Sequence, residues 1–263
     1  MSEIERRALL GVAGVAGMSA LAAMAKAGPL SPPAGAVAPT NHTLDEIYNR
    51  ITANGAAEGR IPIAGGTVPI TISAPGSYVL TGNIDVTGQT VAITIAASGV
   101  TLDLNGYRVV GGGPGTGGAG ILINTGIFNV IVRNGIINKV TIAVRVEANS
   151  SSLLFENIVV TTCGHGISTF LGCNNVRIRG CTLSDIGGDD AAPITLGIRV
   201  QGNNSVVEQS SVMNTLGSAT GGAFGIHIVG NACVVRECSV QQLNSGVAKN
   251  GIVVSGQCNL VTR

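Results

Sequence analysis

The residues best suited to chemistry recur at regular intervals through the second half of the chain. Arg145, Ser168, Arg199 and His227 each take the third place of a Gly/Ala-apolar-x-apolar unit, and Glu147 and Gln201 follow Arg145 and Arg199 by two residues. Guanidinium groups can grip a ligand oxygen pair through a planar fork, and an imidazole changes charge near neutral pH. Hydroxyl and amide groups both donate and accept hydrogen bonds. These six form the candidate substrate-binding set, with Arg199, Arg145 and His227 as the candidates for any catalytic role. Asp189 and Asp190 are adjacent acids in a long turn. Such hard oxygens suit Ca²⁺, completed by a backbone carbonyl and a ligand carboxylate. The plainer reading of that pair is a Gly-rich surface turn with acidic side chains.

Other chemistries find no footing. No Cys-x-x-Cys or Cys/His spacing suits zinc, and no Ser/His/Asp set, phosphate loop or dinucleotide fingerprint stands out. Gly111–Gly115 reads as a turn because no helix follows it to cradle a phosphate. His42 falls in a linker. Six cysteines invite a disulfide framework, but stacked buried thiols, which behave as small apolar groups, account for most of them. In this reading Cys181 and Cys238 share one column, and Cys173 and Cys258 another, with Cys233 close by.

The element that must position these residues is a repeat. The unit occurs at Ala92, Gly120, Ala143, Gly166, Gly197, Gly225 and Gly251, with successive spacings of 28, 23, 23, 31, 28 and 26. A second apolar run follows each unit after a polar corner, and a third column begins after Asn105, Asn134, Asn157, Cys181, Ser210 and Cys238. Those six are expected to stack at the interstrand distance of about 4.8 Å as an internal ladder. The fold class is therefore all-β: a single-stranded right-handed parallel β-helix, a solenoid of about seven rungs with three strands per rung. Alternation then points one column outward through Leu122, Arg145, Ser168, Arg199, His227 and Val253. A second outward column runs through Asn124, Glu147, Phe170, Gln201, Gly230 and Ser255. The long turns 184–195 and 214–223 flank this face.

The run from Ser73 to Ile84, followed by Ser98 to Gly106, resembles the first rungs of secreted bacterial right-handed β-helix proteins of the pectin-lyase-like superfamily. The resemblance covers about residues 60–263. It implies extracellular polysaccharide as the usual ligand, though fold does not fix function. It also implies a calcium-assisted lyase as one competing activity, with an Arg acting as base against a metal-bound uronate. Cys163-Gly164-His165-Gly166 resembles an element of the polygalacturonases of that superfamily. The paired carboxylates that inverting hydrolysis needs are replaced by Ile121-Leu122 and Ala143-Val144, and this argues against hydrolysis. A purely structural or adhesive solenoid is the third reading.

Composition agrees with a solenoid. Charged residues are 11%, aromatics 3%, Gly 39 in number and Trp absent, where a typical domain carries about 25% charged residues. A net charge of +1 gives no electrostatic hold on nucleic acid, so none is expected as a partner. Residues 1–27 read as an export signal, with Arg6-Arg7 before an apolar run to Ala25 and a small-x-small site at Ala25-Lys26-Ala27. The paired arginines resemble a twin-arginine leader, so contact with the membrane is expected only through the leader, before its cleavage. Residues 28–42 read as a linker, and 43–53 as a short N-terminal capping α-helix opened by a Thr43/Glu46 capping box. The sequence reaches Arg263 partway through a rung, so truncation, or self-association through an uncapped C-terminal rung, is expected.

Overall fold

The recurring Gly/Ala position marks a tight place in successive turns of the chain. In the structure, a computed structural model, Ala92, Gly120, Ala143, Gly166, Gly197 and Gly225 stack in one buried column at the start of one sheet. A Cβ on Gly197 would lie 2.5 Å from the Gly225 carbonyl oxygen and 2.6 Å from Val212 Cγ1. Nothing larger than Ala is found at this column, because the next rung's carbonyl and the neighbouring sheet's side chains both press on it.

The structure describes residues 59–66, 68–115, 118–188, 194–217, 221–245 and 247–263. The leader, the linker with His42, the capping helix and the Asp189–Asp190 pair lie outside the described residues. The described chain is an all-β parallel solenoid of about seven turns, and no helix occurs among the described residues. Eight strands form one sheet: Ile70–Ile72, Val91–Ile95, Ala119–Ile123, Ile142–Val146, His165–Thr169, Ile194–Gln201, Gly222–Val229 and Lys249–Ser255. A fourteen-stranded sheet holds the rest. Its main path runs from Ile61–Ile63 through Gly76–Leu80, Val100–Asp103, Phe128–Asn138, Ser151–Cys163, Asn174–Arg179, Val206–Glu208 and Val234–Arg236 to Leu260–Thr262. Phe128–Asn138 and Ser151–Cys163 continue through a corner and pair there with a second path, which includes Arg108–Val110, Thr182–Gly187, Ser211–Leu216 and Ser239–Asn244. Every pairing is parallel, between one turn and the next.

Side chains of like kind stack along the axis. Ile93, Ile121, Val144, Ile167, Ile198 and Ile226 form one inward column with no exposure, each contributing about 1.5–3 kcal/mol by its burial. Phe155, fully buried among Val132 and Ile178 of the adjacent turns, supplies aromatic mass to a core otherwise built of Val, Ile and Leu. In the last turn the inward positions are open: Ile252 is 36% and Val261 53% exposed, against 0% and 1% for Ile226 and Val235 one turn earlier.

The corners are columns too. Three sets of residues hold left-handed backbone: Gly99, Asn129, Ser152, Asn175, Asn204, Ala232 and Cys258; Asn105, Asn134, Asn157, Gly180, Gln209 and Glu237; and Lys139, Thr162, Asp185, Asn214 and Gln242. Their φ values span 50–71°, a region in which Asn and Gly are the least strained residues. This divides the expected ladder. Asn105, Asn134 and Asn157 occupy the turning positions and are exposed or half-buried, whereas Cys181, Ser210 and Cys238 stand one place later, with Cys181 and Ser210 buried. The asparagines still touch, since Asn157 Nδ2 donates to Asn134 Oδ1 at 3.5 Å and Asn134 Nδ2 to Asp103 Oδ1 at 3.3 Å. A longer amide ladder runs at another corner: Asn174, Asn203 and Asn231 each accept, at 2.7–2.8 Å, the backbone N–H of the residue one turn on.

All six cysteines are free thiols, four of them buried. Cys173 pairs across to Gly202 and Cys258 to Ala232, so these two do not share a register. They stand two places apart along the same corner. Burial pushes the Cys163 and Cys181 thiols up to about 11, which keeps them protonated and unreactive.

Candidate functional site

The outer face of the eight-stranded sheet is set by strict alternation against the buried Ile/Val columns. Leu122, Arg145, Ser168, Arg199, His227 and Val253 follow one another in register, turn upon turn. The expected column is therefore assembled as read. Beside it, Gln201 pairs with Val229 and Val229 with Ser255, so Val229, not Gly230, holds the place in the second column. The period of two runs unbroken past His227, and Gly230 falls one step later, aligned with Gly202.

The two arginines of the column differ sharply. Arg145 is tied down on both sides: its Nε lies 2.7 Å from Glu147 Oε1, and its guanidinium sits 5.3 Å from the centre of the Phe170 ring. Arg199, two turns on, has no carboxylate partner among the described residues. It is half-buried, and desolvation draws its guanidinium below the usual arginine range without threatening its charge. A cation held partly out of water with no counter-ion is costly. His227 stacks on Phe224, with ring centres 5.0 Å apart and planes at 23°. Burial first, then the Arg199 charge, lowers its pKa below 6.5. Its ring is therefore neutral at neutral pH and free of competition for an anion. Ser168, 6% exposed, stands between Arg145 and Arg199 in the column. Gln201 is anchored by its backbone N–H, which donates to Thr169 Oγ1 at 3.0 Å.

Two cavities open on this face and share Ile142. One, of about 510 Å³, is lined by Gly88–Val91, Ala119, Leu122, Thr141 and Arg145. The other, of about 290 Å³, lies around Arg199, with Ser168, His165 and His227 for polar groups and Leu196, Phe224, Phe170, Ile142 and Ile194 for apolar walls. The apolar residues Ile142, Leu196 and Phe224 come from one further outward column, at the start of the strands, which the repeat did not bring forward. The signal was present: each precedes the Gly/Ala of its unit by one residue.

Among the described residues no three of His, Cys, Asp and Glu gather into a metal-ligand set. Of Ile121, Leu122, Ala143 and Val144, Leu122 faces outward and the other three point inward with no exposure.

The opposite sheet carries charge of a different kind. Asp103, Arg133, Glu156, Arg179, Glu208 and Arg236 are consecutive partners, one per turn, with signs that alternate without a break. Arg133 Nε lies 3.1 Å from Asp103 Oδ2, Arg179 Nη1 3.6 Å from Glu156 Oε1, and Arg236 pairs directly with Glu208. Arg60 adds a second cation to Asp103 at 3.2 Å. That column neutralises itself, so Arg199 on the other face is the more conspicuous.

Compared with protein-family models, with curated proteins and with solved structures, the chain finds no match.

Proposed function

We propose that this chain is an exported, right-handed, three-strand-per-turn β-helix of the pectin-lyase-like kind. It binds an acidic polysaccharide along the outer face of its eight-stranded sheet and does no chemistry on it. The observation that carries this reading is Arg199, a half-buried cation without an acid partner among the described residues, in a column of outward polar residues that runs along the axis. A polymer laid across the turns meets Arg145, Ser168, Arg199 and His227 in succession at intervals of about 4.8 Å. An anionic group on it relieves the uncompensated guanidinium. Export is supported by Arg6-Arg7 and the apolar run that follows.

The test is size-exclusion chromatography with light scattering on acidic and neutral polysaccharides, before and after incubation with the protein and Ca²⁺. Co-elution of protein with acidic polymers, lost in Arg199→Ala and weakened in Arg145→Ala with the fold intact, is the expected result. Shortened polymers would replace binding by lyase chemistry and bring Ca²⁺ and the Asp189–Asp190 turn forward. No shift with any polymer would leave a structural solenoid.

A further inference from the structure

We propose that the smaller cavity, around Arg199, is a site for a small organic carboxylate with an apolar body, a single aromatic ring or a short alkyl chain, which would compete with a polymer for the same guanidinium. The walls decide the class. Leu196, Phe224 and Phe170 line the cavity with apolar surface that suits a ring or an alkyl chain. Three of the four polar groups lie in one column, the Arg199 guanidinium with Ser168 one turn below and His227 one turn above, and the fourth, His165, stands beside them next to Ile142. Specific small-molecule pockets combine a mostly apolar lining with a few convergent polar groups, and about 290 Å³ holds one ring or a short chain but not a disaccharide. Charge complementarity fixes the sign. Among the described residues the cavity lining contains Arg199 and no carboxylate, and a ligand carboxylate supplies the bidentate partner that this guanidinium lacks. An inorganic anion would satisfy the charge yet leave the apolar walls wet. A neutral apolar molecule would fill the walls and leave the cation unpaired. Both halves of the site are answered only when one molecule carries both features.

The experiment titrates the full chain calorimetrically with benzoate, acetate and benzamide, and with a uronate oligomer in parallel, while NMR follows the imidazole C–H signals of His227. Saturable benzoate binding that shifts the His227 signals is expected, with acetate and benzamide each weaker. Arg199→Gln should weaken benzoate roughly tenfold or more, as loss of a charge-assisted hydrogen bond implies. Phe224→Ala should weaken benzoate and leave acetate unchanged. The proposal is overturned if acetate matches benzoate, if benzamide matches benzoate, if benzoate fails to saturate, or if His227 does not respond. These ligand comparisons hold on the unaltered protein, should either variant fail to fold. Oligomer binding without benzoate binding ends this proposal and leaves the polysaccharide reading standing; the reverse result does the opposite.

Discussion

Replacing Gly197 by Ala tests the column of small residues that recurs from turn to turn. The added Cβ would fall 2.5 Å from the Gly225 carbonyl oxygen, half an ångström inside the 3.0 Å below which real Cβ contacts essentially do not occur. On its other side Val212 Cγ1 is 2.6 Å away. Neither neighbour is the far end of a flexible chain: the carbonyl belongs to the ladder and Val212 is fully buried. Overpacking of this kind costs about 1–3 kcal/mol. Against it stands the smaller unfolded-state entropy of Ala, which contributes about 0.4–1 kcal/mol in favour, so a net loss of about 1–2 kcal/mol is expected. Gly251 stands in the same column one turn beyond Gly225, and nothing lies within 4 Å of a Cβ built there. Gly251→Ala should therefore be neutral or stabilising by up to about 1 kcal/mol. Equilibrium unfolding in guanidinium, followed by far-ultraviolet circular dichroism, reads both as midpoint shifts at unchanged slope. If both variants move the midpoint the same way, rung-to-rung contact is not what keeps the column small.

Three further expectations follow from the same geometry. His227 should titrate below 6.5, because burial and Arg199 lower its pKa, and Arg199→Gln should raise the midpoint seen by NMR. Since its folded pKa is depressed, the unfolded chain takes up the proton first. This group's contribution to stability is complete above pH 6.5 and falls as pH drops through its folded pKa, visible as a lower melting temperature in that window and absent in His227→Gln. An aromatic disulfide reagent at pH 8 should label exposed Cys258 within seconds. Cys163 and Cys181, buried with thiols near 11, should wait for denaturant, and prompt labelling of all six would refute their burial. Glu208→Gln strips the partner of Arg236 and a second cation, Arg177 at 3.5 Å. With the acid 6% exposed, it should cost about 1–3 kcal/mol by unfolding midpoint, and a loss under about 0.5 kcal/mol would mean water satisfies those arginines.

The outward column was legible because Gly or Ala at a fixed place pins the phase of each strand, and alternation does the rest. Arg145, Ser168, Arg199 and His227 fell into line for that reason. Corners were harder. A left-handed residue adds curvature without a fixed spacing, so Asn157 and Cys181 look equivalent in sequence while one turns the chain and the other fills the core. The charge column escaped for a related reason. Arg133, Glu156, Arg179, Glu208 and Arg236 each stand immediately before a turning residue, where a charged side chain reads as ordinary corner polarity. Their steps of 23, 23, 29 and 28 residues carried the signal. That Arg145 is paired, while Arg199 has no acid partner among the described residues, was beyond reach, because it depends on where Glu147 and Phe170 aim their side chains.

The alternating column also constrains how such a chain can grow. Excising the turn that carries Glu156 would set Arg133 against Arg179, and doubling it would set two glutamates side by side. Either event places like charges in direct contact across a strand pair, which is destabilising. Loss or duplication of two successive turns keeps every neighbour opposite in sign. Along this stretch, a change of length by a pair of turns is the one that preserves the alternation.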